Sequence, residues 1–269
     1  MKKMRNLILI LSVLFLLSGC FQVEKVITVK KDGSGTIEET TLMSKQMMQQ
    51  MGQSFGSKSG GEIDEASFHD VEKLKAEATK MGANVRYVSS KALDKDGKVG
   101  YKAIYAFDNI NDLIIESNPA GSMMSTPGSG SGSTDNIQFN LKKGKTSELI
   151  IKFPEEKAAQ GEAMEIEEAE VDPQTMQMMK AMYTGMKISM KIKFDGKIEK
   201  TNATYRKGSV ITIMEMDFDK MMNNEKFMKA LASGQGKSDK SMKKTFEKIS
   251  KEAPGFKAEF LEEVFVKFK

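Results

Sequence analysis

Nine residues in the second half of the chain, MKISMKIKF from Met186 to Phe194, alternate without a break. Met186, Ile188, Met190, Ile192 and Phe194 share one parity; Lys187, Ser189, Lys191 and Lys193 share the other. A helix would wind the five apolar side chains around its circumference, whereas an extended strand sets them on a single face. The chain must therefore build a sheet with one wet and one dry side, and something must cover the dry side.

The same period recurs along the chain. FQVEKVITVK places Phe21, Val23, Ile27 and Val29 on one parity, and Lys31-Asp32-Gly33-Ser34-Gly35 turns it into TIEETTLM, a first hairpin. NVRYVSSKALD and KVGYKAIYAF, joined across Asp94-Lys95-Asp96-Gly97, predict a second hairpin. NIQFNLKKGKTSELIIKF predicts a third, turning at Lys143-Gly144. After MKISMKIKF, Asp195-Gly196 and Lys207-Gly208 punctuate KIEKTNATY and SVITIMEMDF, which predicts a three-stranded meander. KAEFLEEVFVKF alternates as a last strand.

Helical spacing appears between these groups. Ser44 caps a short helix over SKQMMQQMG, and Phe68, Val71, Leu74, Ala78 and Met81 make an apolar stripe ended by Gly82. Residues 112–116 predict a helical turn, Pro173 to Tyr183 a Met-rich helix, and two further helices carry Phe218, Met221, Met222 and Leu231, then Met242, Phe246 and Ile249. The expected fold class is α+β: antiparallel hairpins and a meander forming a curved sheet, with several amphipathic helices packed on it. Residues 52–64, 117–134 and 155–172 read as flexible loops, and the stretches 21–153 and 173–269 as possible halves of one domain, 20–269.

Residues 1–19 stand apart. Lys2, Lys3 and Arg5 precede an apolar run from Leu7 to Leu17, which is too short to span a bilayer as a permanent helix. Leu17-Ser18-Gly19-Cys20 follows, with the only cysteine of the chain. These four residues resemble the lipobox of bacterial lipoproteins. The resemblance implies cleavage between Gly19 and Cys20 and a diacylglyceryl group on the Cys20 thiol. Acyl chains contribute about 0.8 kcal/mol per buried CH₂, so two or three of them anchor a chain durably. Phe21 rather than Asp follows the cysteine. In a host with an outer membrane, the lipoprotein resemblance then implies the periplasmic face of that membrane; otherwise it implies the outer side of the cytoplasmic membrane.

A second resemblance starts where the first ends. A strand, then VKKDGSGTIEETTLMS, Val26 to Ser44 within it, resembles the start of LppM-like bacterial lipoproteins. FDGKIEKTNATYRKGSVITIMEMDF resembles a further class of bacterial lipoproteins. Both together cover about a fifth of the chain. They imply a tethered α+β domain with a curved sheet that contacts lipid, and they bring no catalytic residues with them.

Composition narrows the functional classes. Removing residues 1–19 takes Lys plus Arg from 41 to 38, against 37 acidic residues, so the mature chain is nearly neutral. Whole-chain charge gives no support for nucleic-acid binding. With its one thiol acylated, the domain has no disulfide and folds by packing alone. There are 22 Met and no Trp. Met fills irregular apolar space and suits an adaptable surface for apolar ligands.

Signals for chemistry are sparse. His69 is the only histidine, so a hydrolytic triad would have to use it, and a helix-start role is the simpler reading. No phosphate loop, nucleophile elbow or paired-cysteine zinc motif occurs. Asp94 to Gly97 begins like a calcium loop, but Ala103 stands where the terminal Glu belongs. Met176, Met178, Met179 and Met182, with Met43, Met47, Met48 and Met51, are a candidate Cu(I) set, weighed against simple helix packing. Seven Lys from Lys237 to Lys257 suit either a solvated face or anionic headgroups; the eight acidic residues of 155–172 suit a solvated loop. The expected protein is a non-enzymatic lipoprotein with no resident cofactor or metal. Its membrane attachment is through lipidated Cys20, with a binding or structural role at the envelope, for a lipid or another apolar ligand; Cu(I) binding is the alternative.

Overall fold

A computed structural model describes residues 21–49, 68–117, 136–154, 180, 183–228 and 239–269. Residues 1–19 with the expected signal segment, Cys20, the expected loops 52–64 and 155–172, most of 117–134, and Met51, Met176, Met178, Met179 and Met182 lie outside the described residues.

The chain folds as α+β with curved, open, mixed sheets. β1 (Phe21–Val29) and β2 (Gly35–Ser44) form the expected first hairpin, in register from Phe21↔Met43 to Val29↔Gly35. α1 (Val71–Lys80) is capped by Asp70, whose carboxylate accepts from the backbone N–H of Glu72 and Lys73. β3 (Val85–Lys95) and β4 (Lys98–Phe107) form the second hairpin. Its two-residue turn places Asp96 and Gly97 at φ of 54° and 72°. A 3-10 turn at Ile110–Asp112 and the short β5 (Ile115–Glu116) occupy the region expected as one helical turn. Asn109 accepts from the Asn111 N–H and so starts that turn two residues earlier than the sequence suggests. β6 (Asn136–Lys142) and β7 (Ser147–Lys152) form the third hairpin.

The second half contributes β8 (Lys187–Phe194), β9 (Ile198–Thr201), β10 (Arg206–Lys207), β11 (Val210–Asp217), α2 (Phe218–Met222), α3 (Asp239–Glu252), β12 (Phe256–Ala258) and β13 (Glu263–Phe268). The larger sheet runs β10-β11-β8-β1-β2-β4-β3, with β12 also on β11; the smaller runs β5-β6-β7-β13-β9.

Two expectations are corrected. The meander is not β8-β9-β11: β8 pairs directly with β11, and β9 leaves for the other sheet, where it joins β13. Gly196 makes this possible. Its φ is +145° and a Cβ there would lie 1.9 Å from the Lys269 carbonyl oxygen, so the backbone crosses where no side chain fits. Lys197 and Lys269 then exchange N–H···O bonds. The consecutive strands of the fold are β5, β6 and β7, in the smaller sheet. The pairings are also not all antiparallel. β1 and β8 run parallel, from Gln22↔Lys187 to Val29↔Phe194, so strands from both halves of the chain share one sheet.

The main core lies between the sheets. Ile27, Ile37, Tyr105, Phe107, Ile192 and Phe194 from one face meet Ile137, Leu149, Ile151, Val264, Val266 and Phe268 from the other, with Leu74 and Ala78 of α1. A second apolar cluster sits at the opposite end of the larger sheet, around Phe21, Val23, Met43, Met48, Val99, Met186 and Ile188. A third joins α2 and α3 through Met221, Met222, Phe227, Ile249 and Phe256. At Gly100 of β4 a Cβ would stand 1.9 Å from the Thr41 carbonyl. Only a residue without a side chain lets β2 and β4 approach so closely.

Candidate functional site

The inward face of β1 is apolar except at one position. Phe21, Val23, Ile27 and Val29 are buried, and Lys25 shares their parity. Register places Lys25 opposite Glu39 of β2, which breaks the same pattern between Ile37 and Thr41. Their side chains meet at 3.1 Å, Lys25 13% and Glu39 17% exposed. A charge pair this far from water persists where each charge finds its counterpart and further hydrogen bonds. Tyr101 of β4 supplies one, donating its hydroxyl to Glu39 Oε1 at 2.9 Å.

Burial pushes the Tyr101 hydroxyl well above the usual range, and the Glu39 charge pushes it further. Tyr105, two steps along the same face of β4 past Ala103, is raised for the same two reasons. Both phenols therefore stay neutral donors at any physiological pH. The polar row extends to the edge strand. His69 stacks on Tyr101 with ring centroids 6.4 Å apart, and its Nε2 lies 2.7 Å from Ser90 Oγ, which Tyr87 also contacts at 2.7 Å.

This row separates two apolar regions. On one side is the main core between the sheets. On the other is the Met-rich cluster, where half-buried Met47, Met214, Met216, Phe68, Tyr183 and Phe218 pack on the buried set. Met43 and Met48 of the candidate Cu(I) set are buried in it. Among the described residues no group of three or more His, Cys, Asp or Glu stands close enough to hold a metal ion.

Tyr183 and Phe218 stack with centroids 5.3 Å apart and an interplanar angle of 16°. Asp217 closes the end of the cluster. Its carboxylate meets Lys220 at 3.1 Å and Lys187 at 3.3 Å. Burial alone would raise this carboxyl, but the two ammonium groups and the Lys220 N–H overcome it and hold it below the ordinary value of 3.8.

Sequence reasoning placed His69 at a helix start, which it is, but missed its bond to Ser90. It also passed over Lys25 and Glu39. The legible signal was two interruptions of an otherwise apolar parity at positions a hairpin register brings together. The Lys-rich helix α3 keeps Lys244 and Lys248 in solvent and buries Ile249 against α2, with Lys251 paired to Glu247 at 2.9 Å.

No family model matches the chain, and no curated protein matches it. Among solved structures it is similar to the NMR structure of the folded domain of Mycobacterium tuberculosis LppM. The likeness spans 74% of this chain and 84% of that one, at 12% identity and a TM-score of 0.32. A likeness this distant carries no argument about activity. Among the described residues, no helix is long and apolar enough to cross a membrane.

Proposed function

We propose that this chain is a membrane-anchored bacterial lipoprotein of the cell envelope, lipidated at Cys20, whose α+β domain has a non-enzymatic binding role for a lipid or similar amphiphile. One observation carries the binding reading. The inward face of a single sheet passes within a few residues from a neutral-donor and charge-pair row, Lys25, Glu39 and Tyr101, to a Met-rich apolar cluster. An amphiphile needs that succession: hydrogen-bonding groups for its head and adaptable apolar contacts for its tail. Methionine supplies the adaptability, because its unbranched side chain repacks at low cost.

The anchor reading rests on the sequence Leu17-Ser18-Gly19-Cys20 behind an n-region and apolar run. It places the domain outside the cytoplasmic membrane, or at the periplasmic face of an outer membrane where the host has one. The test of binding is extraction of protein purified from its native membrane, followed by mass spectrometry of the organic phase after subtraction of the Cys20 acyl groups. One recurring lipid at about one per chain is the expected result. Bulk phospholipid and detergent alone would overturn lipid binding and leave a structural or protein-docking role, to be pursued by crosslinking.

A further inference from the structure

Between Cys20 and the folded domain the chain leaves almost no slack. Phe21, the residue bonded to Cys20, is already the first residue of β1, paired with Met43 and only 4% exposed. Successive Cα atoms stand 3.8 Å apart. A diacylglyceryl group keeps its glycerol at the headgroup layer, a zone of roughly 5–8 Å on each side of the hydrocarbon. Phe21 is therefore held at or next to that layer.

The position of β1 turns this tether into an orientation. β1 is the central strand of the path β10-β11-β8-β1-β2-β4-β3, with three strands on each side. At the level of Phe21 the register sets Met43, Val99 and Asp94 to one side and Met186 with Phe218 to the other. With strands about 4.8 Å apart, the rim extends roughly 14 Å to either side of the tether, to β3 on one side and past β8 and β11 to β12 on the other, while β10 lies at the far end of β11. A molecule held at the middle of a rim, without slack, meets the surface along that rim.

Among the described residues, the chemistry of the rim suits headgroups and not hydrocarbon. Lys45, Lys95, Lys187 and Lys220 alternate with Asp94, Asp96 and Asp217, mostly as ion pairs. Half-buried Met47, Tyr183 and Phe218 lie between them. Aromatic rings flanked by lysine are the residues that favour a membrane–water interface, and the carboxylates keep the rim from sinking deeper.

We infer that this rim lies against the lipid headgroups with the strands of the larger sheet upright, so that the Met-rich cluster faces the bilayer and the β1–β2 turn points away. The inference rests on the anchor reading. It makes the membrane itself the source from which an amphiphile reaches the cluster.

The experiment uses the full lipidated chain in vesicles of phosphatidylethanolamine and phosphatidylglycerol. Cys20 is acylated, so one introduced cysteine carries a fluorophore. Gln46→Cys and Lys95→Cys report the rim. Lys143→Cys, beside the turn at Gly33, reports the far end, about 27 Å away along β1. Headgroup-attached spin labels should quench the two rim positions several-fold more than Lys143→Cys. Insertion of about ten Gly and Ser residues between Phe21 and Gln22 would disrupt β1, so the linker goes between Cys20 and Phe21; it should bring all three positions to the same weak quenching while the protein stays on the vesicles. Equal quenching at all three positions without the linker overturns the upright docking with the anchor intact. Unchanged quenching with the linker overturns the short tether as its cause. Protein found free of the vesicles overturns the anchor reading, and this inference with it.

Discussion

Lys25 and Glu39 occupy two positions on the inward face of a hairpin where every neighbour of the same parity except Thr41 is apolar, and each is the other's partner. Removing one charge strands the other. Glu39→Gln should cost about 2–3 kcal/mol, less than the 3–5 kcal/mol of a fully buried pair because some water reaches both side chains. The double variant Lys25→Met with Glu39→Gln should recover to within about 1 kcal/mol of the native chain in urea unfolding. If extraction yields one lipid per native chain and the stable double variant yields it equally, the pair is structural and plays no part in holding a headgroup. Asp217 makes a prediction about acid. Its carboxyl titrates below the ordinary value of 3.8 when folded, so it contributes stability above that value and loses it as pH falls through the folded value. Unfolding free energies at pH 7 and pH 3 should converge for Asp217→Asn relative to the native chain. Equal pH dependence in both proteins would remove Asp217 from the account. Asparagine also caps helices well, so α2 keeps its start.

At the scale of elements, the decisive event is the exit of β9. Asp195-Gly196 and Lys207-Gly208 both read as hairpin turns, and three alternating strands in succession predict a meander. The chain instead crosses from one sheet to the other within Asp195-Gly196-Lys197, with the Asp195 N–H donating to the Val29 carbonyl. Gly196→Ala should cost about 2 kcal/mol or more, because an L side chain is strained at that φ and its Cβ meets the Lys269 carbonyl. Thermal unfolding of the variant checks this, and a Tm equal to the native one would show that the crossing tolerates a side chain. KKDGSGTIEETTLM and KFDGKIEKTNATY both run strand, Asp-Gly turn, strand, and the fold treats the two differently. The strands before the two Asp-Gly turns lie parallel and in register, Val29 beside Phe194. The strands after them part, β2 folding back on β1 and β9 joining the other sheet.

For the whole molecule, both sheets draw strands from both halves of the chain. β1 meets β8, and β7 meets β13. Such long-range pairing loses much chain entropy before its contacts form, so cooperative rather than piecewise unfolding is expected. Location is a property of the whole molecule too. Cys20→Ser should release the protein from membranes into the soluble envelope fraction, as fractionation of cells expressing either form would read. Continued retention would point to an uncleaved signal segment.

Periodicity alone determined the three hairpins, their turns, the face of each strand and the α+β class, because alternation and glycine-bearing turns are local and their physics is local. The first twenty residues carried the anchor reading in the same way. Tertiary structure decided the rest. Whether β1 takes β8 as a parallel neighbour depends on residues about 165 positions apart in the sequence, and no short window holds that information. Lys25, Glu39, Tyr101 and His69 are four unremarkable residues until register and a packed helix start set them in one row. A charge is legible in a sequence, but its partner and its distance from water exist only once the sheets have closed.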